Sequence, residues 1–276
     1  MDYKIVSDSS LDFNEDLKKD IPVDQVPFKL YIDEKEFVDD ESLDVIDFID
    51  QMGKASKVPR TACPSPNDFM KSFQGPESVF GITISSKLSG TYNSAILAKN
   101  TLLEEVKKKI HVFDSKSASV GQTLIAIKIK QLLDKGLDFD KVVEDVEAYI
   151  KNMKTFFIAE NLDNLIKNGR IPSWKGKLAM ALKIRPIMRA VDGDIHEYEK
   201  VRSSKKAFER LAQIIKEQVS DASQKVLAIS HVNNPSRAES LKARVEELCN
   251  FKDIVIVPTH GLTSLYCDNQ GIIVAF

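Results

Sequence analysis

Cysteine is scarce: Cys63, Cys249 and Cys267 are scattered through 276 residues and form no CxxC pair. That argues against a disulfide scaffold and a cysteine zinc site, and for a reduced, cytoplasmic protein. Charge of one sign is lacking too, since 39 Lys and Arg stand against 41 Asp and Glu, a formal net charge of -2. No basic excess draws the chain onto nucleic acid or anionic lipid, and no acidic tail suggests disorder. No apolar run approaches the roughly 18 residues of a membrane span. The opening residues lack the apolar stretch of a secretory signal. Neither GxxxxGK[ST] nor GxGxxG occurs after a strand, and there is no GxSxG elbow. His111, His196, His231 and His260 show no HExxH spacing. The expectation is therefore no metal and no cofactor, with the histidines structural or solvated.

What is present is an ordinary globular composition, 43% hydrophobic and 29% charged. The length suits about two domains. Short apolar runs at 3–6, 79–84 and 110–113 read as strands, each closed by a polar turn. Helical periodicity follows at about 91–106, 120–133 and 141–150. Strand, polar turn, helix, strand is the pattern of parallel α/β units. It predicts a first α/β domain over 1–154 with a parallel, doubly wound sheet, carrying a small hairpin insertion near 28–38. A second α/β domain is expected over 155–276, with helices over 173–182, 203–219 and 235–248. Residues 59–66, with their prolines, read as a loop. In such proteins the ligand site lies at the carboxyl ends of the strands or in the cleft between domains.

Those strand ends carry Ser7-Asp8-Ser9, Ser85-Ser86 and Asp114-Ser115, a set of hydroxyls and acids. The densest signal runs from Ile84 through Ser85-Ser86-Lys87-Leu88-Ser89-Gly90-Thr91-Tyr92. Gly90 lets backbone approach a ligand, and a helix starting there aims free N–H groups at an anion. Ser89 and Thr91 add hydroxyl donors. The ordinary alternative is helix capping by Ser89. Thr61, held between prolines, is a second candidate, against a plain surface loop capped by Ser65. Arg170 follows a helix end and is either a fixed cation in the cleft or a surface ion pair. Asp8 and Asp114 would serve as bases or metal ligands only with further clustered ligands; capping of the following turns is the simpler role.

The motif order resembles the bacterial DegV family. Ser7-Asp8-Ser9-Ser10 is similar to its opening turn, and Thr61-Ala62-Cys63-Pro64-Ser65-Pro66 to its Thr-Ser-x-Pro-Ser-Pro loop. Ser85 to Tyr92 matches its Ser-Ser-x-Leu-Ser-Gly-Thr-Tyr segment. Asp114 to Ser119, Leu162 to Ile171, Leu182 to Ile187 and Val201-Arg202 follow in family order. The resemblance covers the whole chain. It implies a long-chain fatty acid held in a tunnel between the domains. It also implies the lipid-carrying subunit of a fatty acid kinase, which presents the carboxyl group to a separate catalytic subunit. By motif position Thr61 and Ser89 would bind the carboxylate, with Gly90, Thr91 and Arg170 nearby. Two positions depart from the pattern: Asn168 replaces the first glycine of Gly-Gly-Arg-Ile, and Tyr266 stands where the family carries a histidine.

The reading is a fatty-acid carrier with no catalysis of its own. The alternative is an acyl or phosphoryl transferase or hydrolase using Ser89 as nucleophile, which needs a base in reach. Residues 178–182 and the strand at 156–158 are expected to line the tunnel.

Overall fold

The structure, a computed structural model, describes residues 3–174 and 184–276. Strands β1 (Tyr3–Asp8), β2 (Val23–Val26), β6 (Ser78–Thr83) and β7 (Ile110–Asp114) form a parallel sheet in the order β2-β1-β6-β7. Helices α3 (Pro66–Phe73) and α4 (Thr91–Glu105) cover one face through Phe69, Phe73, Ala95, Ala98 and Leu102. Helices α5 (Val120–Asp134) and α6 (Phe139–Asn152) cover the other through Ile125, Ile129, Val142 and Val146. A parallel sheet whose strands are apolar on both sides has to be covered on both sides, and this one is doubly wound as expected.

A hairpin of β3 (Lys29–Ile32) and β4 (Lys35–Val38) projects from this unit. The segment read as a loop at 59–66 contributes a strand instead: β5 (Arg60–Ala62) pairs antiparallel with β3, setting Thr61 opposite Leu30. Three residues between prolines give too short a run for alternation to show. The capping box of Ser65 and Asp68 with Pro66 then starts α3. The periodicity also missed β2, α1 (Glu15–Asp20) and α2 (Val45–Gly53), all short.

The second sheet has six strands in the order β10-β9-β8-β13-β11-β12. They are β8 (Thr155–Ile158), β9 (Arg185–Val191), β10 (Asp194–Val201), β11 (Val226–His231), β12 (Asp253–Pro258) and β13 (Ile272–Ala275). Of these only β11 and β12 pair in parallel. Helices α8 (Ser204–Gln218) and α9 (Pro235–Glu246) cover its outer face. Its inner face packs on α5, which therefore serves both sheets: Ile125 and Ile129 belong to the first core, Val120 and Leu124 to the second. Two short helices complete this side, α7 (Asp163–Lys167) and α10 (Gly261–Cys267).

The expectation that the whole strand at 156–158 lines a tunnel is corrected by the two-residue period of a strand. Phe157 faces inward, while Phe156 and Ile158 pack under α8 and α9. Residues 178–182 lie outside the described residues, as does most of the helix expected at 173–182; a short 3₁₀ turn, Pro172–Trp174, overlaps its start.

Because α5 is shared, a cavity in it weakens both halves. Leu124→Ala is expected to cost about 2–5 kcal/mol. Urea unfolding followed by far-ultraviolet dichroism and by Trp174 fluorescence should still show one coincident transition. Two separated transitions in the wild type would contradict a shared core.

Candidate functional site

At the carboxyl ends of β1, β6 and β7, where the first sheet meets the second, lies a cavity of about 360 Å³. That falls within the range of small-molecule sites. The first sheet supplies Ser10, Ile84 and Ser117 from its strand ends; β5 supplies Thr61. The second sheet supplies Phe157, Ile195 and Ile273, and α10 supplies Thr263 and Tyr266. Among the described lining residues the charged ones are Lys116 and Arg170, both cations.

The mouth gathers residues distant in sequence. Thr61 Oγ1 and the Tyr266 hydroxyl lie 3.0 Å apart. Arg170 sits with its guanidinium carbon 5.6 Å from the Tyr266 ring centre. Its Nε donates to the Leu88 carbonyl at 3.2 Å and its Nη1 to the Asn168 carbonyl at 2.6 Å. Among the described residues no carboxylate pairs with it, so the surface-ion-pair alternative does not hold, and its charge faces the cavity region without a counter-ion. Asn168 has a structural use for its side chain: Nδ2 donates to the Pro59 and Asn164 carbonyls, tying the Arg170 turn to the strand that carries Thr61.

Ser89 is half-buried and Thr91 wholly buried. Thr91 N–H donates to Ser89 Oγ at 3.3 Å, and the two hydroxyls are 2.8 Å apart. Either hydroxyl can donate to the other; in the arrangement where Thr91 donates, the Ser89 proton is free for a ligand. Thr91 does not line the cavity; it stands behind Ser89. Gly90 is the N-cap of α4 and receives no side-chain cap. A Cβ there would meet only Cys63 Sγ, at 3.7 Å. The protein itself leaves room for a side chain at 90, and the space above it is cavity.

None of the four histidines lines the cavity. His111 Nε2 lies 3.0 Å from Glu147, and His231 Nδ1 accepts from Asn234 N. Asp114 caps its own turn by accepting from Lys116 N, and accepts from Ser86 N of the turn that follows β6. Among the described residues no group of three His, Cys, Asp or Glu is placed to hold a metal.

Three buried carboxylates lie behind the cavity wall. Asp8, at the end of β1, accepts from Ile84 N at 2.8 Å, Ser10 N at 3.1 Å and Gln122 Nε2 at 2.9 Å. Asp12 accepts from Ser119 Oγ at 2.5 Å and His260 N at 2.6 Å. Asp39 accepts from Ser9 Oγ at 2.7 Å, Gly261 N at 2.7 Å and Leu262 N at 3.0 Å. Burial raises all three, Asp8 and Asp39 to about 6 and Asp12 to about 7, against the hydrogen bonds that lower them. Thr263, on the cavity wall, also lowers Asp12, although its Oγ1 completes no well-aligned hydrogen bond. Asp12 and Asp39 were not singled out from the sequence. The one available signal was Asp12 standing between Leu11 and Phe13, an acid between two apolar residues.

A doubly wound parallel sheet joined to a mixed sheet through one shared helix, with a hydroxyl-rimmed cavity at the seam, defines the architectural class. The chain belongs to the DegV family: the family model described as "Uncharacterised protein, DegV family" matches residues 2–271. A DegV domain-containing protein of Streptococcus pneumoniae is 35% identical over 281 residues, covering 100% of this chain and 99% of the relative. A solved DegV family protein from Ruminococcus gnavus, refined with vaccenic acid, is 39% identical with a TM-score of 0.96, covering 100% of this chain and 99% of that one. The Streptococcus pneumoniae Fatty Acid Kinase (Fak) B3 protein, loaded with linoleic acid, is 34% identical with a TM-score of 0.91, over 100% and 99% of the two chains. No helix among the described residues is long and apolar enough to cross a membrane.

The carboxylates fix the sign of one pH effect. A folded pKa above the unfolded value near 4 means that the folded state holds protons the unfolded state has released. The stabilising contribution of these groups is complete below about pH 4. It is lost as pH rises through about 6 for Asp8 and Asp39 and about 7 for Asp12. Between about pH 5 and pH 8 the melting temperature should fall, and fall less in Asp12→Asn, which removes up to about 1.4 kcal/mol per pH unit of that dependence. An equal or steeper fall in the variant, read by thermal melts, would contradict the assignment.

Proposed function

We propose that this chain binds one long-chain fatty acid, tail inward, and presents the carboxylate at the cavity mouth without catalysis of its own. The observation that carries this reading is a polarity gradient. A half-exposed rim of hydroxyls and an uncompensated guanidinium opens onto a buried wall of Phe157, Leu165 and Ile273, with Ile195 partly buried beside them. Apolar burial gives up to about 0.8 kcal/mol per methylene. A carboxylate at the rim needs donors, because unpaired burial of charge is costly. In this reading Thr61 and Ser89 donate to the carboxylate, Tyr266 joins them through Thr61, Thr91 orients Ser89, Gly90 leaves the head group its space, and Arg170 supplies a fixed cation. The acids carried by the Ruminococcus and Streptococcus proteins support it.

The division of labour follows. Ser89 has Thr91 as its hydrogen-bond partner and no Asp, Glu or His among the described lining residues. That favours a carrier over a nucleophile, which needs a base. Resemblance to the Fak B3 protein supports a role as the lipid-carrying subunit beside a separate kinase, with the fatty acid as the one small molecule required; the scarcity of cysteine fits a reducing cytoplasm. We place the division of the chain at 154/155, ahead of β8, with 1–154 and 155–276 as the two domains flanking the acid.

Native mass spectrometry of protein purified without added lipid should show a bound mass of a single long-chain acid; protein free of any such adduct, and unable to take up palmitic or oleic acid, would refute the proposal. Removing one donor to a charged group costs about 1.5–3 kcal/mol, so Thr61→Ala and Ser89→Ala should each weaken oleic acid binding by roughly 10- to 100-fold. Unchanged affinity in the folded double variant would remove both residues from the site.

A tyrosine phenol stays neutral across the physiological range, whereas a histidine titrates within it. Tyr266→His should therefore introduce a step in affinity between about pH 6 and 8, binding tighter on the acid side. Superimposable pH profiles would place residue 266 away from the carboxylate.

A further inference from the structure

The contact between Thr61 and Tyr266 joins two elements that share no strand and no covalent neighbourhood. Thr61 belongs to the three-stranded sheet of β3, β4 and β5. Tyr266 belongs to α10, seven residues long and less than two turns. Isolated helices of that length have no stability of their own, so something external sets the position of α10. Three successive backbone amides at its start are taken by two buried carboxylates. His260 N donates to Asp12 Oδ1, Gly261 N to Asp39 Oδ1 and Leu262 N to Asp39 Oδ2.

Asp39 is attached to the same sheet as Thr61. It directly follows β4, and its own N–H donates to the Phe28 carbonyl beside β3 at 2.9 Å. One side chain thus spans from the sheet carrying Thr61 to the helix carrying Tyr266. The approach is as close as backbone allows: a Cβ on Gly261 would lie 2.7 Å from Asp39 Oδ1 and 2.5 Å from Leu43 Cδ2. Both carboxylate oxygens of Asp39 accept, and Ser9 Oγ donates to Oδ2 as well, so rotation away from the helix would break three bonds. A negative charge at a helix N-terminus adds to the same docking.

We infer that Asp39, with Asp12 beside it, is a positioning residue for the head-group site, holding α10 so that Tyr266 stays within hydrogen-bond reach of Thr61. This rests on the fatty-acid reading given above. The carboxylates do not line the cavity; they set the spacing between two residues of the rim. Packing of Leu262 and Leu265 against Phe28, Leu30 and Phe48 holds the helix to the sheet but fixes no hydrogen-bond register. The amide–carboxylate bonds do.

Asp39→Asn tests this with the side-chain volume preserved. It replaces one accepting oxygen by an NH₂ group that faces amides able only to donate. Oleic acid affinity and amide exchange of the full chain are measured at about pH 8. Asp39→Asn should weaken binding about tenfold and speed exchange of the 261–267 amides about tenfold, with the 226–231 amides unchanged. In a Tyr266→Phe background the same substitution should cost less than about threefold, because the hydroxyl it positions is already gone. Asp12→Asn, acting on the neighbouring amide, is the second variant should Asp39→Asn not fold. Affinity within about twofold of wild type, or the same loss in both backgrounds, overturns the positioning role. Thr61→Ala and Ser89→Ala, measured alongside, separate the two readings. If they weaken binding and Asp39→Asn does not, only the positioning role fails. If the wild type binds no fatty acid, the functional reading falls and takes the positioning role with it.

Discussion

A helix whose first seven residues are all buried must be enclosed on every side there, and α5 is that helix here. Its residues from Val120 to Ala126 are all buried, with Ile129 and Leu132 further along. One flank completes the core of the parallel sheet and the other the core of the mixed sheet. Neither sheet can cover its inner apolar surface without it. The relative placement of the two sheets, and the gap left between them beyond the start of α5, follow from this shared element.

The start of α5 is polar where its middle is not. Ser119 hydrogen-bonds Asp12 and lies 2.8 Å from Ser230 of β11, Thr123 donates to the Asp12 carbonyl, and Gln122 reaches Ser7 and Asp8. Buried polar groups of this kind cost free energy unless each is paired, so they define one arrangement of the surrounding segments and penalise others. The cavity wall is the visible part of that network. Ser10, Ser117 and Thr155 line it, with the last two hydroxyls 2.7 Å apart. An apolar seam alone would allow sliding; the hydroxyl and carboxylate pairs restrict it.

Much of this was legible in the sequence, for identifiable reasons. Strands 79–84 and 110–113 were visible because a buried parallel strand is a continuous apolar run ending abruptly in polar residues. Ser89, Gly90 and Thr91 were visible because a helix start behind a strand end has its own chemistry. Thr61 was visible as a residue but not as part of a strand, since β5 exists only through pairing with β3. Helix α10 was invisible for a similar reason: Gly261 to Cys267 has weak helical pattern, and its start is held by carboxylates more than 200 positions away. Asp39 carries no local sign of burial, because its donors are backbone amides of a distant segment. Non-local hydrogen bonding to main chain leaves no periodicity and no motif.

The half-exposed mouth and the shared helix have a consequence for timing. With α5 holding both sheets, the halves cannot hinge apart without exposing two cores at once. An acyl chain seated between them would leave end-on, past the rim, withdrawing its methylenes from apolar contact one after another. If that withdrawal is the barrier, each methylene of about 0.8 kcal/mol lengthens the residence time about fourfold. Small differences in tail length would then separate transient passengers from ones that stay long enough to be handed on. The wall would act less as a lock for one molecule than as a clock that measures chain length.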